Sequence, residues 1–96
     1  MRIIAKKTLL GFGKVHANCK APLDRWYQAA EAAKWRNLND VRKTFPNADV
    51  VGDKTVFNIK GNTYRLITVI KYETNTIFIS EFLTHAEYDK GTWKTR

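Results

Sequence analysis

The stretch from Thr55 to Lys90 constrains the fold most strongly, because Val, Ile, Thr, Phe and Tyr dominate it. These residue types fit a pleated, half-buried surface. Gly61-Asn62 separates two such runs and indicates a hairpin, since both residues tolerate positive φ. A polar break at Glu73-Thr74-Asn75 precedes the last run. The pattern therefore predicts three sequential antiparallel strands at about 55–60, 63–72 and 76–83, followed by a polar tail.

Alternation along these strands assigns their side chains to two faces. On the last strand, one face is expected to carry Ile77, Ile79, Glu81 and Leu83, and the other Phe78, Ser80 and Phe82. Neither face of the second and third strands is wholly polar, so we expect both to be partly covered. Lys60 and Arg65 flank the first turn, where they could reach a phosphate or simply solvate the hairpin tip.

The N-terminal half predicts helices. Arg2-Ile3-Ile4-Ala5 indicates a first strand, and apolar spacings of three and four predict a helix over 6–18. A second helix is expected over about 22–35, with Pro22 in its first position and with Trp26 and Tyr27 on a core-facing side. A short third helix follows a cap at Asn37 and ends at Pro46.

The element order is β-α-α-β-β-β, with a short C-terminal helical turn and a Val50-Val51 pair that could add a strand at the sheet edge. This order predicts an α+β fold in which an N-terminal strand and a helical pair pack on one face of a small, mainly antiparallel sheet. We expect residues 1–96 to form one domain. His16 falls beside the apolar stripe of the first helix, which favours a structural role.

Composition narrows the functional classes. The hydrophobic content of 44% argues for a folded chain. No apolar run reaches the roughly 18 residues of a membrane span, and the apolar segment after Met1 is too short for a signal peptide. Cys19 is the only cysteine, which excludes an internal disulfide or a cysteine-based zinc site. These features are typical of a cytoplasmic protein without a membrane partner.

Charge points to a polyanionic partner. The formal net charge is +8 and the isoelectric point is near 9.8. Residues 1–48 carry ten Lys or Arg against three Asp or Glu, whereas residues 49–96 carry seven against six. The N-terminal excess has two explanations: a docking surface for a polyanion such as nucleic acid, or a solvated lysine-rich face. The docking candidates are Lys6, Lys7, Arg42 and Lys43.

The order of elements, the basic charge and the length resemble the RelE-like toxins of bacterial type II toxin–antitoxin systems, and most closely the HigB family of mRNA interferases. Four segments carry the resemblance, in matching order along the chain: Arg42-Lys43-Thr44-Phe45-Pro46, Val56-Phe57-Asn58-Ile59, Gly61-Asn62-Thr63-Tyr64-Arg65-Leu66 and Thr84-His85-Ala86-Glu87-Tyr88-Asp89. No one segment is specific alone, but the ordered set is.

The resemblance implies a RelE-like fold and ribosome-dependent cleavage of translated mRNA, without a metal or cofactor. It also implies a cognate helix-turn-helix antitoxin, the 70S ribosome as a partner, and operator DNA bound only through the antitoxin complex. Cleavage of this kind needs a group that takes the 2′-hydroxyl proton, a group that stabilises the phosphorane and a group that protonates the departing 5′-oxygen.

The residues offer candidates for each role. Arg65, which matches the strand arginine of the family's Y-R-L segment, suits the phosphate because a planar guanidinium makes two parallel bonds to it. Lys60 adds a second positive charge across the turn. His85 suits proton transfer as base or acid, since histidine exchanges protons near neutral pH. Tyr88 could stack on a base or donate a proton.

If 85–90 forms a helical turn, Asp89 lies beside His85 at i+4 and could orient the imidazole or act as the base. Thr84 and Glu87 form a capping-box pattern that fits this turn whatever its function. Some RelE-like toxins place a basic residue on the last strand, whereas this strand offers Ser80 and Glu81. The base therefore stays open among His85, Asp89 and Glu81.

Three further lysines, Lys54, Lys71 and Lys90, are expected to contact RNA or to supply the charge that the last strand lacks. Two functions from other classes compete with the nuclease. A non-catalytic RNA- or DNA-binding module would bind with strong salt dependence and leave mRNA intact. A structural ribosome-associated protein would bind ribosomes without arresting growth.

Overall fold

Five strands form one mixed sheet in the order β1-β5-β4-β3-β2. The computed structural model describes residues 1–95. Its strands and helices, in chain order, are β1 (Arg2–Ile4), α1 (Lys6–Val15), α2 (Lys20–Ala32), α3 (Leu38–Thr44), β2 (Asp49–Val51), β3 (Lys54–Ile59), β4 (Tyr64–Lys71), β5 (Thr76–Thr84) and α4 (His85–Lys90). Short 3₁₀ turns lie at Ala17–Cys19, Tyr72–Thr74 and Thr92–Thr95. The predicted α+β fold class is confirmed, but β1 is an edge strand of the sheet and does not pack on its face with the helices.

The predicted meander forms the centre of the sheet. β3, β4 and β5 pair antiparallel in sequence. The Val50-Val51 pair lies in β2, which pairs antiparallel with β3 at one edge. At the other edge β1 runs parallel to β5, with Ile3 opposite Ile77. Because a parallel pair needs a long crossover connection, the helices between β1 and the meander lie across one face.

The helix ends differ from the predicted ones. α1 ends at Val15, because His16 leaves the helical region with φ −115° and ψ 74°. α2 begins at Lys20, which places Pro22 inside the first turn, where its missing N–H still costs no intrahelical bond. α3 begins after Asn37 as predicted, and the Asn37 side chain accepts a hydrogen bond from the Asp40 N–H at 3.0 Å.

The larger hydrophobic cluster lies between the helices and the sheet. Trp26 is buried and meets Phe57 of β3 edge-on at 5.3 Å between ring centres. Trp35 stacks on the same Phe57 ring at 6.1 Å. The predicted core position of Trp26 is confirmed. Tyr27 is only half-buried, and its hydroxyl donates to Glu31 at 2.7 Å.

A smaller cluster covers the opposite face. Val56, Ile67 and Leu83 are buried there beneath Trp93 from the C-terminal segment, and Val51 and Tyr88 pack against them. Both faces of the sheet are therefore covered, as expected. We call the side of the sheet that carries Val56, Ile67 and Leu83 the outer face.

One expectation about β5 is wrong. A β-bulge shifts the register so that Ile67 lies opposite Glu81 and Thr68 opposite Ile79, which leaves Ser80 as the extra residue. One extra residue inverts the alternation beyond it. Phe82 thus joins Ile77 and Ile79 in the core beneath the helices, whereas Leu83 turns to the outer face.

None of the helices within residues 1–95 is both long enough and apolar enough to cross a membrane.

Candidate active site

The turn between β3 and β4 fixes one side of the site. Lys60 and Gly61 adopt left-handed conformations, with φ 54° and 62°. Positive φ was expected at Gly61 and Asn62, so the left-handed pair lies one residue earlier than predicted. The turn closes with the Thr63 N–H donating to the Lys60 carbonyl at 3.2 Å.

Arg65 is held by this turn. Its Nη2 donates to Asn62 Oδ1 at 2.6 Å, and its Nη1 donates to the backbone carbonyls of Asn62 at 3.1 Å and Tyr64 at 3.2 Å. These acceptors are neutral, so they satisfy the guanidinium geometrically without cancelling its charge. The residue is only 8% exposed. The structure thus holds a largely desolvated, charged guanidinium in one orientation.

Tyr88 covers the guanidinium. The guanidinium carbon of Arg65 lies 5.2 Å from the centre of the Tyr88 ring, within the range of a cation–π contact. Trp93 stacks on the same ring at 5.0 Å with planes 18° apart, and its Nε1 donates to the Tyr88 carbonyl at 2.9 Å. The buried Trp93 therefore fixes the ring that packs over Arg65.

Helix α4 starts beside the same turn. The His85 N–H donates to the Thr63 carbonyl at 3.0 Å, which ties the first residue of α4 to the hairpin. The predicted capping box is present: Thr84 Oγ1 accepts from the Glu87 N–H, and Glu87 Oε1 accepts from the Thr84 N–H. The bond from the Thr84 backbone N–H lowers the pKa of the Glu87 carboxyl below its usual range, and the Thr84 hydroxyl adds to this.

His85 and Asp89 form the expected i, i+4 pair. His85 Nε2 lies 3.4 Å from Asp89 Oδ2, and about half of each side chain is exposed. A carboxylate at Nε2 orients the imidazole and leaves Nδ1 as its second proton-exchanging atom. The helical spacing also places Tyr88 one turn from His85 on the same side of α4. Arg65, Tyr88, His85 and Asp89 therefore lie around one rim of the sheet.

Lys60 and Lys90 border this rim. Lys60 is exposed in the turn, and Lys90 is the exposed last residue of α4. The positive charge of Lys60 also acts on a group beneath the helices, the thiol of Cys19. Burial raises the pKa of the Cys19 thiol, and a hydrogen bond with Tyr64 and the charge of Lys60 act against that rise.

Two other predicted cations lie away from the rim. Lys54 is the first residue of β3 and its Nζ contacts Asp53 Oδ1 at 3.4 Å. Lys71 ends β4 six positions after Arg65, which is about 20 Å along a strand. Lys54 shares the outer face with Arg65, but its strand position is four residues, or about 13 Å, from Asn58, which pairs with Arg65.

The remaining predicted docking residues lie in the helical layer. Lys6 and Lys7 begin α1, and the Lys6 Nζ sits 4.8 Å from the centre of the Tyr27 ring. On α3, Arg42 Nε donates to the Ala48 carbonyl at 3.0 Å, and Lys43 pairs with Asp40 at 3.6 Å. Just before α3, the Arg36 backbone N–H donates to Asp40 Oδ2 at 3.1 Å, and this bond lowers the pKa of the Asp40 carboxyl.

The third candidate base, Glu81, lies on the outer face with Arg65. It pairs with Ile67 across the sheet, and Arg65 pairs with Leu83, two positions further along β5. Such diagonal neighbours are within reach of long side chains.

His16 packs against the other side of the sheet, edge-on to Tyr64 at 5.1 Å and to Phe82 at 5.5 Å, and is half-buried.

Two residues of the site were missed in the sequence. Asn62 was interpreted only as a turn residue, yet its side chain and carbonyl both bind Arg65. Trp93 was given no role, yet it supports Tyr88. The spacing Asn62-x-x-Arg65 is the one local signal that could have indicated the first contact.

Within residues 1–95 no group of three or more His, Cys, Asp or Glu side chains is placed to hold a metal ion.

Comparison with known proteins adds to this geometry. A family model described as HigB toxin, the RelE-like toxic component of a toxin–antitoxin system, matches residues 19–91. The mRNA interferase toxin HigB of Escherichia coli K12 is 25% identical over 92 residues, covering 93% of this chain and 88% of that protein. The mRNA interferases HigB of Escherichia coli O157:H7 and Shigella flexneri match with the same identity and coverage. The matched region contains the hairpin and α4.

Proposed function

The chain belongs to the HigB toxin family, the RelE-like toxic components of toxin–antitoxin systems, and on that premise we propose that it is an endoribonuclease that cleaves mRNA on the ribosome. Its relatives are mRNA interferases by name. In this proposal a cognate helix-turn-helix antitoxin silences the enzyme, and the toxin meets operator DNA only through that complex.

One observation carries the proposal: a guanidinium whose charge is intact lies against Tyr88, a candidate proton donor on the same helix as His85 and Asp89. Arg65 is bound by neutral oxygens and covered by Tyr88. Those bonds engage three of the five N–H donors that a guanidinium carries. The others can bind a non-bridging phosphate oxygen, where charge builds up in the transition state.

The reaction then needs no nucleophile from the protein. The 2′-oxygen of the RNA attacks the adjacent phosphorus, the bond from phosphorus to the 5′-oxygen breaks, and the 2′-proton leaves to a base while the 5′-oxygen gains a proton. His85, oriented by Asp89, can take the first proton or supply the second through Nδ1. Asp89 and Glu81 are the alternative bases.

The placement of Tyr88 favours one of its two expected roles. Its ring already stacks on Trp93 and lies against the Arg65 guanidinium, which leaves little ring surface for an RNA base. The hydroxyl is the part of the side chain that remains for chemistry, as donor to a phosphate oxygen or to the departing 5′-oxygen. Lys60 and Lys90 add positive charge at the rim.

The experiment is to induce the chain in cells that lack the antitoxin and to map the ends of a translated message by primer extension. We expect growth arrest and new 5′ ends inside the reading frame. A message with its start codon disrupted, and so untranslated, is the control and should stay intact. Intact translated mRNA would overturn the nuclease proposal and favour a binding module, and equal cleavage of both messages would overturn its ribosome dependence.

A further inference from the structure

A groove of about 570 Å³ lies between α1 and α2, in the helical layer that covers the side of the sheet opposite Arg65. On α1 its lining residues recur at positions 6, 9, 10, 13 and 14, the spacing of one helix face. On α2 they recur at 20, 23, 24 and 27. The α1 side alone extends about 12 Å at 1.5 Å per residue. This length matches two turns of another helix.

The floor of the groove is apolar. Leu9 and Leu23 are buried at its base, and Tyr27 lines one end. Leu10, by contrast, is 49% exposed on its rim. Half-exposed leucine beside an apolar concavity is the arrangement into which an amphipathic helix inserts side chains at i, i+3 or i+4, and i+7.

The rim of the groove is positive. Lys6, Lys14 and Lys20 line it, against one acidic residue, Asp24. Lys6 is further held over the Tyr27 ring at 4.8 Å. The wider N-terminal half has the same sign, with ten basic and three acidic residues in 1–48. A partner must therefore bring an apolar stripe flanked by carboxylates.

We infer that this groove binds an acidic amphipathic helix of the antitoxin. The inference rests on the proposed function for the identity of the partner, whereas its chemistry follows from the groove. A second copy of this chain would bring like charge to a lysine-lined groove. RNA could bind the lysines at the rim, but it has no apolar side chains to bury against Leu9 and Leu23. The apolar floor therefore favours a protein partner.

The groove and the candidate active site lie on opposite sides of the sheet. Leu9 and Leu23 pack in the cluster beneath the helices, whereas Tyr88 packs in the outer-face cluster. A helix bound in the groove therefore does not reach the side of the sheet that carries Arg65. Antitoxin affinity and RNA cleavage should consequently be separable by substitution, even though the antitoxin silences the enzyme.

The test measures binding of the purified cognate antitoxin to the toxin by isothermal titration. Leu10→Asp places a carboxylate on the groove rim. Val15→Asp, at a residue 78% exposed on the same helix and outside the groove lining, is the matched control. We expect Leu10→Asp to weaken binding by about tenfold or more and Val15→Asp to leave it within about threefold.

A charge reversal serves as a second variant that does not touch the floor. Lys14→Glu should also weaken binding by about tenfold, whereas Lys34→Glu, outside the groove, should not. Equal losses in each pair would mean that overall charge drives binding, and would overturn the inference. So would wild-type affinity for both groove variants.

Cleavage assays without antitoxin separate this inference from the proposed function. Leu10→Asp should cleave translated mRNA at the wild-type rate. Reduced cleavage or reduced ribosome binding with unchanged antitoxin affinity would instead assign the groove to RNA. Failure of the wild-type chain to cleave would overturn the proposed function while the binding measurements still decide the groove.

Discussion

The guanidinium carbon of Arg65 lies 5.2 Å from the centre of the Tyr88 ring, which joins the central hairpin to the C-terminal helix. The hydrogen bond from the His85 N–H to the Thr63 carbonyl makes a second link between the same elements. The two contacts fix the position of α4, and with it the His85–Asp89 pair, relative to Arg65. The proposed chemistry depends on this arrangement.

Because the oxygens that bind Arg65 are neutral, the role of its positive charge can be tested by making one of these acceptors negative. Asn62→Asp would place a carboxylate where Oδ1 now lies 2.6 Å from Arg65 Nη2. A bond to a charged acceptor is worth about 1.5–3 kcal/mol, so we expect the free energy of unfolding to stay level or rise. Cleavage should nevertheless fall by about tenfold or more, because the guanidinium would no longer present a free charge to phosphate. Urea denaturation and cleavage rates on the same preparation check both effects. Loss of stability together with activity would contradict this account.

The roles of His85 and Asp89 can be separated by a double-mutant cycle. If His85 transfers the proton and Asp89 orients it, His85→Ala should lower the cleavage rate by about 10²–10⁴-fold. Asp89→Asn should cost less, and adding it to His85→Ala should cost little more, because the two residues act as a unit. Independent, multiplying losses would point to Asp89 as the base. No loss in either variant would leave Glu81 as the candidate.

The capping box of α4 predicts a pH dependence of stability. The Thr84 N–H lowers the pKa of Glu87 in the folded chain, so the folded pKa lies below that of a glutamate in the unfolded chain. Its contribution is then complete above that unfolded value and is lost as pH falls through the folded pKa. We expect the difference in unfolding free energy between the wild type and Glu87→Gln to shrink on acidification below about pH 5. A difference that stays constant from neutral pH to about pH 3 would contradict the assignment.

Trp93 should be important for both stability and activity. It is fully buried on the outer face and stacks on Tyr88. Trp93→Ala should lower the free energy of unfolding by about 3–5 kcal/mol and slow cleavage, because Tyr88 loses its support. Phe78→Ala, which truncates an aromatic residue that is 41% exposed, is the control and should cost less than half as much. Urea denaturation checks the comparison, and equal losses would mean that the tail does not pack as described.

Features that depend on neighbouring residues could be predicted from the sequence. Asn37 caps α3, and Thr84 with Glu87 caps α4, because each bond spans three positions. The His85–Asp89 pair follows from helical spacing in the same way. The three-strand meander also followed from local composition, to within a residue at most ends.

Features that depend on tertiary pairing or on an unusual backbone conformation could not be predicted from the sequence. The bulge at Ser80 exists only in the pairing of β5 with β4, so alternation alone placed Phe82 on the wrong face. The contact between Asn62 and Arg65 spans only three positions, but it lies in a turn with left-handed Lys60, a conformation that no general preference of lysine indicates. Lys54 and Lys71 were expected to assist Arg65, but strand register places them toward the other end of the sheet.

The most direct test of the central claim is the rate of mRNA cleavage on purified translating ribosomes by Arg65→Ala and Arg65→Lys, with Lys34→Ala as a control that also removes one positive charge. Unfolding temperatures identify the variants that remain folded. We expect Lys34→Ala to match the wild type, Arg65→Ala to slow cleavage by about 10²-fold or more, and Arg65→Lys to recover only part of the rate because it lacks the planar fork. A folded Arg65→Ala protein that cleaves at the wild-type rate would contradict the account.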